Sequence, residues 1–207
     1  MADVVFQKGF LTPDEQRRVV ATALGVSPGF YEPATRWGKM HLRMNCLGRH
    51  WSARDYHYHA TRVDADGLPC APILDDLQAL ARRALVETGY LEPHEVRPFD
   101  VCVANLYARQ DGGKLGDHVD NSEGADALSS GYPIVSLSIG AACVFRIGGL
   151  KRTDPFEKHT LESGDLVIFG RSMRLAYHGV SRLLPGTTPA GLGLADGERL
   201  NLTFRVL

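Results

Sequence analysis

Cysteine is scarce in this chain and badly spaced for work: Cys46, Cys70, Cys102 and Cys143 form no Cys-x-x-Cys pair. That spacing excludes a zinc knuckle and a disulfide framework, and it places the protein in a reducing compartment. No apolar run approaches membrane-spanning length, and the N-terminus lacks a basic segment followed by a long apolar one. A cytoplasmic protein without a membrane partner is expected. An excess of charge is missing too: 23 basic against 24 acidic residues leave a formal net charge of −1. Any attraction to a polyanion must therefore come from a local patch. The chain has no internal repeat, heptad pattern, low-complexity tract, Gly-x-Gly-x-x-Gly or phosphate-binding loop, which argues against a nucleotide-binding α/β fold.

What is present is enough apolar sequence for a core, 44% of 207 residues, and a clear change of period. Thr12-Pro13-Asp14-Glu15 reads as a helix start, with Thr12 as N-cap, Pro13 at the first helical position and Glu15 closing a capping box. Val19, Val20, Ala23 and Leu24 give that helix an apolar face ending near Gly25. A second helix is predicted between Pro72 and Gly89, where Ile73, Leu74, Leu77, Leu80, Ala81, Ala84 and Leu85 recur at helical spacing. From Phe99 the period becomes two, with runs at 99–107, 134–140, 143–148, 166–170, 175–180 and 198–206 separated by Gly, Pro, Ser and Asp. The expected fold is mainly β with flanking helices, an antiparallel barrel or jelly roll. A single domain spanning 1–207 is expected, with its core over 99–207.

Three features carry chemistry. His118-Val119-Asp120 is followed by a lone His178, and residues two apart on a strand face the same way, so His118 and Asp120 can converge on one ion. Two imidazoles and a carboxylate suit a non-haem Fe(II) site with open positions, although zinc or manganese would take similar ligands. The C-terminal strand puts Arg199, Asn201, Thr203 and Arg205 on one face. That face would ordinarily meet solvent; in a barrel around a polar ligand its guanidinium groups would instead meet a dicarboxylate such as 2-oxoglutarate. The two arginines stand about 20 Å apart along the strand, a gap that inward-leaning side chains can narrow. Asn105 and Tyr107 would add neutral donors. Segment 36–62 holds Arg36, Lys39, Arg43, Arg49, Arg54 and Arg62 against one acid, Asp55, interleaved with Trp37, Trp51, Tyr56, Tyr58 and four histidines. Such a stretch can track phosphates and stack on unpaired bases; equally, it can be a hairpin over a barrel mouth with solvated arginines and core tryptophans.

Asn105-Leu106-Tyr107, His118-Val119-Asp120, Pro133 to Gly140, Phe145 to Pro155 with its Gly148-Gly149-Leu150-Lys151-Arg152, Arg174 to Gly179 and Arg199-Leu200-Asn201-Leu202-Thr203-Phe204-Arg205 together resemble the AlkB family of Fe(II)- and 2-oxoglutarate-dependent nucleic-acid dealkylases. The resemblance runs in order over about residues 37–205. It implies a double-stranded β-helix under an N-terminal nucleotide-recognition lid at about 36–62. It implies iron on His118, Asp120 and His178, and 2-oxoglutarate held by Arg199, Tyr107 and Asn201 at its distal carboxylate and by Arg205 and Asn105 near the metal. Trp51 would stack on a flipped base opposite the His118 ring, while Tyr58 and Arg152 would contact phosphates.

The implied reaction is oxidative demethylation of bases of the 1-methyladenine and 3-methylcytosine type in DNA or RNA, consuming O2 and releasing formaldehyde, succinate and CO2. A cationic base would gain from the Trp51 face, and it must leave the duplex to react. One departure stands out: the family commonly has a base-reading acid two residues after the iron carboxylate, and here that position is Ser122, with Glu123 next as a candidate replacement. The loop from Gly124 to Tyr132 also looks longer than usual. A changed base preference is expected, and a monomer suits approach to a long polymer. The other readings are a related oxygenase acting on RNA modifications, protein or a small molecule, and a non-catalytic nucleic-acid-binding jelly roll.

Overall fold

The computed structural model describes residues 2–108, 110 and 112–207. Its first helix begins where the sequence places it. Helix α1 spans Pro13–Gly25, and Thr12 caps it by accepting from the Glu15 backbone N–H while the Glu15 carboxylate accepts from the Thr12 backbone. A cap of this kind contributes about 1 kcal/mol. Val19, Val20 and Ala23 are buried, as the periodicity predicts, whereas Leu24 is exposed and the polar Gln16 is buried in its stead. The Gln16 amide explains this, donating to the Leu11 carbonyl and accepting from Ser163. Helix α2, Asp75–Glu87, buries Leu77, Ala81, Ala84 and Leu85.

Among the described residues the strands are, in chain order, β1 Val4–Gln7, β2 Ala34–Thr35, β3 Gly38–Lys39, β4 Arg43–Leu47, β5 His50–Trp51, β6 Tyr58–His59, β7 Val101–Tyr107, β8 Leu115–His118, β9 Ile134–Gly140, β10 Cys143–Ile147, β11 Glu157–Leu161, β12 Leu166–Phe169, β13 His178–Leu183 and β14 Arg199–Arg205. Six form one sheet in the order β1-β12-β9-β14-β7-β4, and four form a second in the order β11-β10-β13-β8. Every ladder in both is antiparallel. One apolar cluster lies between the sheets, with Val103, Tyr107, Val167 and Phe169 meeting Phe145, Ile147 and Val180. A second joins α1 and α2 to the outer face of the large sheet through Leu77, Leu85, Leu137, Leu200, Leu202 and Phe204. This is the jelly roll with flanking helices that the period-two runs predict.

The structure adds what the runs do not carry. β1 and β11 are edge strands, and β11 is mostly exposed and polar, so no apolar alternation marks it. The predicted strand at 175–180 starts three residues late, at His178, after a 3-10 turn over Arg171–Met173. The supposed lid is also split. β4 leaves it to become the edge of the large sheet beside β7, so only the hairpins β2–β3 and β5–β6 stand over the barrel mouth. The loop after Ser122 contains a short helix, α3, Ala125–Ser129, with Ala127 buried.

Candidate active site

Strands β8 and β13 pair so that His118 stands directly opposite His178. Their rings lie 4.4 Å apart, tilted by 50°. β8 ends at His118, so Asp120 belongs to the segment just beyond the strand and not to the strand itself, as its spacing suggested. It still joins the pair: Asp120 Oδ1 is 3.6 Å from His118 Nε2 and Asp120 Oδ2 is 3.7 Å from His178 Nε2. The three ligand atoms lie within 4.8 Å of one another, a spacing one cation can bridge.

The surroundings favour a metal. His118 Nδ1 lies 2.9 Å from the Gly116 carbonyl and His178 Nδ1 lies 3.0 Å from that of Ala176. A carbonyl only accepts, so each Nδ1 carries a proton and each ring turns its Nε2 towards the place a cation would take. Burial, with His118 alongside, pushes His178 down to about 4, so its ring is neutral near pH 7. Burial would raise the Asp120 carboxyl, but Arg205, His178 and His118 together hold it well below the usual carboxylate range. Two imidazoles and one ionised carboxylate fit Fe(II).

His118 and Asp120 stand between two cavities, both of which are also lined by Asn105, Leu115 and Arg205, and His178 lines the inner one. The inner cavity carries the polar face of β14. Arg199 is 1% exposed, donates to Ser138 Oγ at 2.7 Å, and keeps Nε and Nη1 buried without a hydrogen-bond partner in the protein. Unpartnered guanidinium hydrogens in a closed pocket are costly unless an anion enters, and they fit a carboxylate. Tyr107 faces Arg199 across the β7–β14 ladder, and burial raises its hydroxyl so that it stays a donor. Asn201 lines the same cavity, but its amide nitrogen already donates to Ser136 Oγ and the Leu137 carbonyl, both at 2.9 Å. Its place is to fix the wall rather than to offer a further donor. At the metal end, Arg205 donates to Asp120 Oδ2 at 2.7 Å and to Tyr58 Oη at 3.3 Å.

The outer cavity lies under the β5–β6 hairpin, between Trp51, Tyr56, Met40 and Met44, with His118 opposite. Trp51 packs edge-on against Tyr56 and donates its indole N–H to Ser122 Oγ at 3.1 Å. Two expectations need correcting. Tyr58 does not reach outward to a phosphate: its hydroxyl donates to Glu123 at 2.8 Å and accepts from Arg205. Glu123 does not replace the base-reading acid, because its fully buried carboxylate is held by Tyr58 on one oxygen and by Arg174 at 3.0 Å on the other. Ser122 is the residue left facing the cavity. Arg152 stays at the exposed rim, donating to the Asp117 carbonyl at 2.8 Å.

The basic segment divides similarly. Arg62 is 2% exposed, bound to the Gly29 carbonyl, Asn45 and Asp66. Arg43 pairs with Glu198 and Lys39 with Glu32. Arg36, Arg49 and Arg54 remain exposed, and Trp37, 78% exposed beneath the Arg36 guanidinium, stands at the tip of the β2–β3 hairpin. His50 is buried against Asp64, which also accepts from the Ala53 backbone, anchoring the strand that carries Trp51. Arg174 had no assigned role from sequence; it donates to the Asp120 carbonyl at 2.7 Å and so holds the metal carboxylate's backbone. Its position four residues before His178 was the only hint.

A family model described as the 2OG-Fe(II) oxygenase superfamily matches residues 3–205. The DNA N(6)-methyladenine demethylase ALKBH1D of Arabidopsis thaliana is 38% identical over 218 residues, covering 98% of this chain and 49% of that protein. The alpha-ketoglutarate-dependent dioxygenase AlkB of Salmonella typhimurium is 37% identical over 182 residues, covering 87% of this chain and 74% of that one. The solved structure of OsALKBH1 superposes with a TM-score of 0.88 at 35% identity, covering 100% of this chain and 98% of that chain. The chain thus spans about half the length of the Arabidopsis relatives and nearly all of the solved one.

Proposed function

Because the chain belongs to the 2OG-Fe(II) oxygenase superfamily and, within it, to the AlkB family, we propose that it is an Fe(II)- and 2-oxoglutarate-dependent dioxygenase that removes N-methyl groups from bases in DNA, and in RNA where the polymer allows. The observation that carries this reading is the cluster of His118, Asp120 and His178, of which His118 and Asp120 line both an arginine-lined cavity and an aromatic one. One side suits a dicarboxylate and the other a flat base, with the metal between them.

His118 Nε2, His178 Nε2 and Asp120 would hold Fe(II). When bound, iron supplies O2 activation coupled to oxidative decarboxylation of 2-oxoglutarate to succinate and CO2. Arg199 receives the distal carboxylate through its unpartnered Nε and Nη1, with the Tyr107 hydroxyl beside it, while Asn201 and Ser138 keep the wall in place. Asn105 and Arg205 line the end nearest the triad. Arg205 and Arg174 steady Asp120 from its side chain and its backbone.

On the other face, Trp51 stacks on a base swung out of the polymer, held flat by Tyr56 and by the N–H bond to Ser122. Hydroxylation of the N-methyl carbon gives an N-hydroxymethyl group, which leaves as formaldehyde and restores the N–H. Arg36, Trp37, Arg49, Arg54 and Arg152 are exposed and available to flanking phosphates and bases. Four unpaired cysteines suit a reducing, cytoplasmic setting. The test is incubation of the iron-loaded protein with methylated and unmethylated oligonucleotides: methyl-dependent succinate supports the reading, and equal succinate with both contradicts it.

A further inference from the structure

Trp51 stands on a strand that neither large sheet holds in place. Among the described residues β5 and β6 pair only with each other, at His50↔His59 and Trp51↔Tyr58. An isolated two-stranded hairpin is marginal in water, so side chains must set where the indole stands over the outer cavity. One mooring lies on β6, where Tyr58 bonds Glu123 and Arg205. The other is Asp64.

The Asp64 side chain is 1% exposed and that of His50 is fully buried. Asp64 Oδ1 bonds His50 Nε2 and accepts from Tyr31 Oη at 3.3 Å, while Oδ2 accepts the Ala53 backbone N–H at 2.9 Å. One carboxylate thus holds the residue before Trp51 and the second residue after it. Its own place is set from β4 of the large sheet. Tyr31 exchanges backbone hydrogen bonds with Met44, and Arg62, two residues before Asp64, donates to Asn45.

Stability alone does not account for this arrangement. Replacing a buried polar pair by apolar side chains of similar volume is often neutral or stabilising, and His50 Nδ1 is buried without a hydrogen-bond partner, which is a cost of keeping the imidazole there. What apolar contact would not supply is direction. Three hydrogen bonds to one carboxylate fix the backbone of residues 50–53, and with it the origin of the Trp51 side chain.

We infer, on the demethylase reading of the outer cavity, that Asp64 and His50 are positioning residues for the base stack. They touch neither base nor metal; they clamp both flanks of Trp51 and so hold its ring over the cavity opposite His118.

The chain has two tryptophans, so Trp37→Phe leaves Trp51 as the only indole, and every comparison is made within that background. The protein is loaded with 2-oxoglutarate and Zn(II), which takes similar ligands to iron. Time-resolved fluorescence anisotropy then reads the motion of Trp51, and a dye-labelled oligonucleotide with one N-methylated base reads binding. His50→Leu/Asp64→Leu should keep the rise in melting temperature that 2-oxoglutarate produces. It should nevertheless show a fast depolarisation of the indole that its parent lacks, and bind the methylated oligonucleotide about tenfold more weakly, within the loss of one base–aromatic stack. Asp64→Asn keeps the shape but accepts through one oxygen only; it should loosen the indole to a lesser degree, and it serves as the test should the double variant fold poorly. An indole no more mobile in either variant than in the parent, or an unchanged affinity for the methylated oligonucleotide, overturns the clamp and leaves the demethylase reading standing. A parent that binds methylated and unmethylated oligonucleotides alike overturns both.

Discussion

Arg205 Nη2 lies 2.7 Å from Asp120 Oδ2, so the carboxylate of the candidate metal site has a buried cationic partner within the protein. The pair keeps Asp120 ionised and aimed at the histidines. Breaking a buried ion pair from one side costs about 3–5 kcal/mol, and Arg205→Leu should lose about that much in the metal-free protein by urea unfolding. A divalent cation then takes over as partner to Asp120. Mn(II) should accordingly stabilise the variant more than it stabilises the wild type; equal stabilisation would contradict the pairing.

Arg199 is a buried cation with two unpartnered nitrogens, and its answer to co-substrate is different. A ligand present at a hundredfold its dissociation constant stabilises the folded state by about 2.7 kcal/mol. In the presence of Mn(II), 2-oxoglutarate should raise the wild-type melting temperature and leave Arg199→Met unmoved. The variant itself should melt no lower than wild type without ligand, since it removes an uncompensated charge. A ligand-induced rise retained in Arg199→Met would remove this arginine from the co-substrate site.

Trp51 tests the outer cavity. Loss of one base–aromatic stack costs about 1–3 kcal/mol, so Trp51→Ala should weaken binding of a methylated oligonucleotide by roughly 5- to 150-fold. Trp51→Phe should recover most of it. Unfolding midpoints should stay near wild type, because the indole is only partly buried and His50 and Asp64 anchor the strand independently.

Both arginines of β14 were legible in the sequence because the strand period fixes which side chains share a face: Arg199, Thr203 and Arg205 are buried inward while Leu200, Leu202 and Phe204 pack on the helices. The candidate iron ligands were legible as residue types, but Asp120 joins His118 from beyond the end of β8 and not by strand period. The capping box at Thr12 was legible because it is made entirely within four residues. Arg62, Tyr58 and Glu123 were not. Composition marks Arg62 as a cation but not that Gly29 and Asn45 reach it from two separate segments while Asp66 closes on it from four residues on. Likewise the direction of Tyr58 is decided by Glu123 and Arg205, 65 and 147 residues away in sequence. Local pattern reads faces; it does not read partners brought together by topology.

Glu15 offers a test at the far side of the molecule. Its carboxylate, bonded to Arg83 and to the Thr12 cap, is lowered from 4.5 to about 2. A carboxyl depressed in the folded state stabilises above its unfolded value and loses that stabilisation as pH falls through the folded one. The difference in urea midpoint between wild type and Glu15→Gln should therefore be full above about pH 4.5 and shrink towards pH 2. A difference constant across that range would mean that the Arg83 pair does not form in solution.

The central claim is that one metal couples the contents of the two cavities, and the most direct measurement is the product ratio in a single reaction. Iron-loaded protein given 2-oxoglutarate, O2 and an oligonucleotide with one N-methylated base should release formaldehyde and form succinate one for one with methyl groups lost, and His118→Ala should abolish both while still binding the oligonucleotide. Formaldehyde release that persists in His118→Ala, or succinate formation indifferent to the methyl group, would contradict the account.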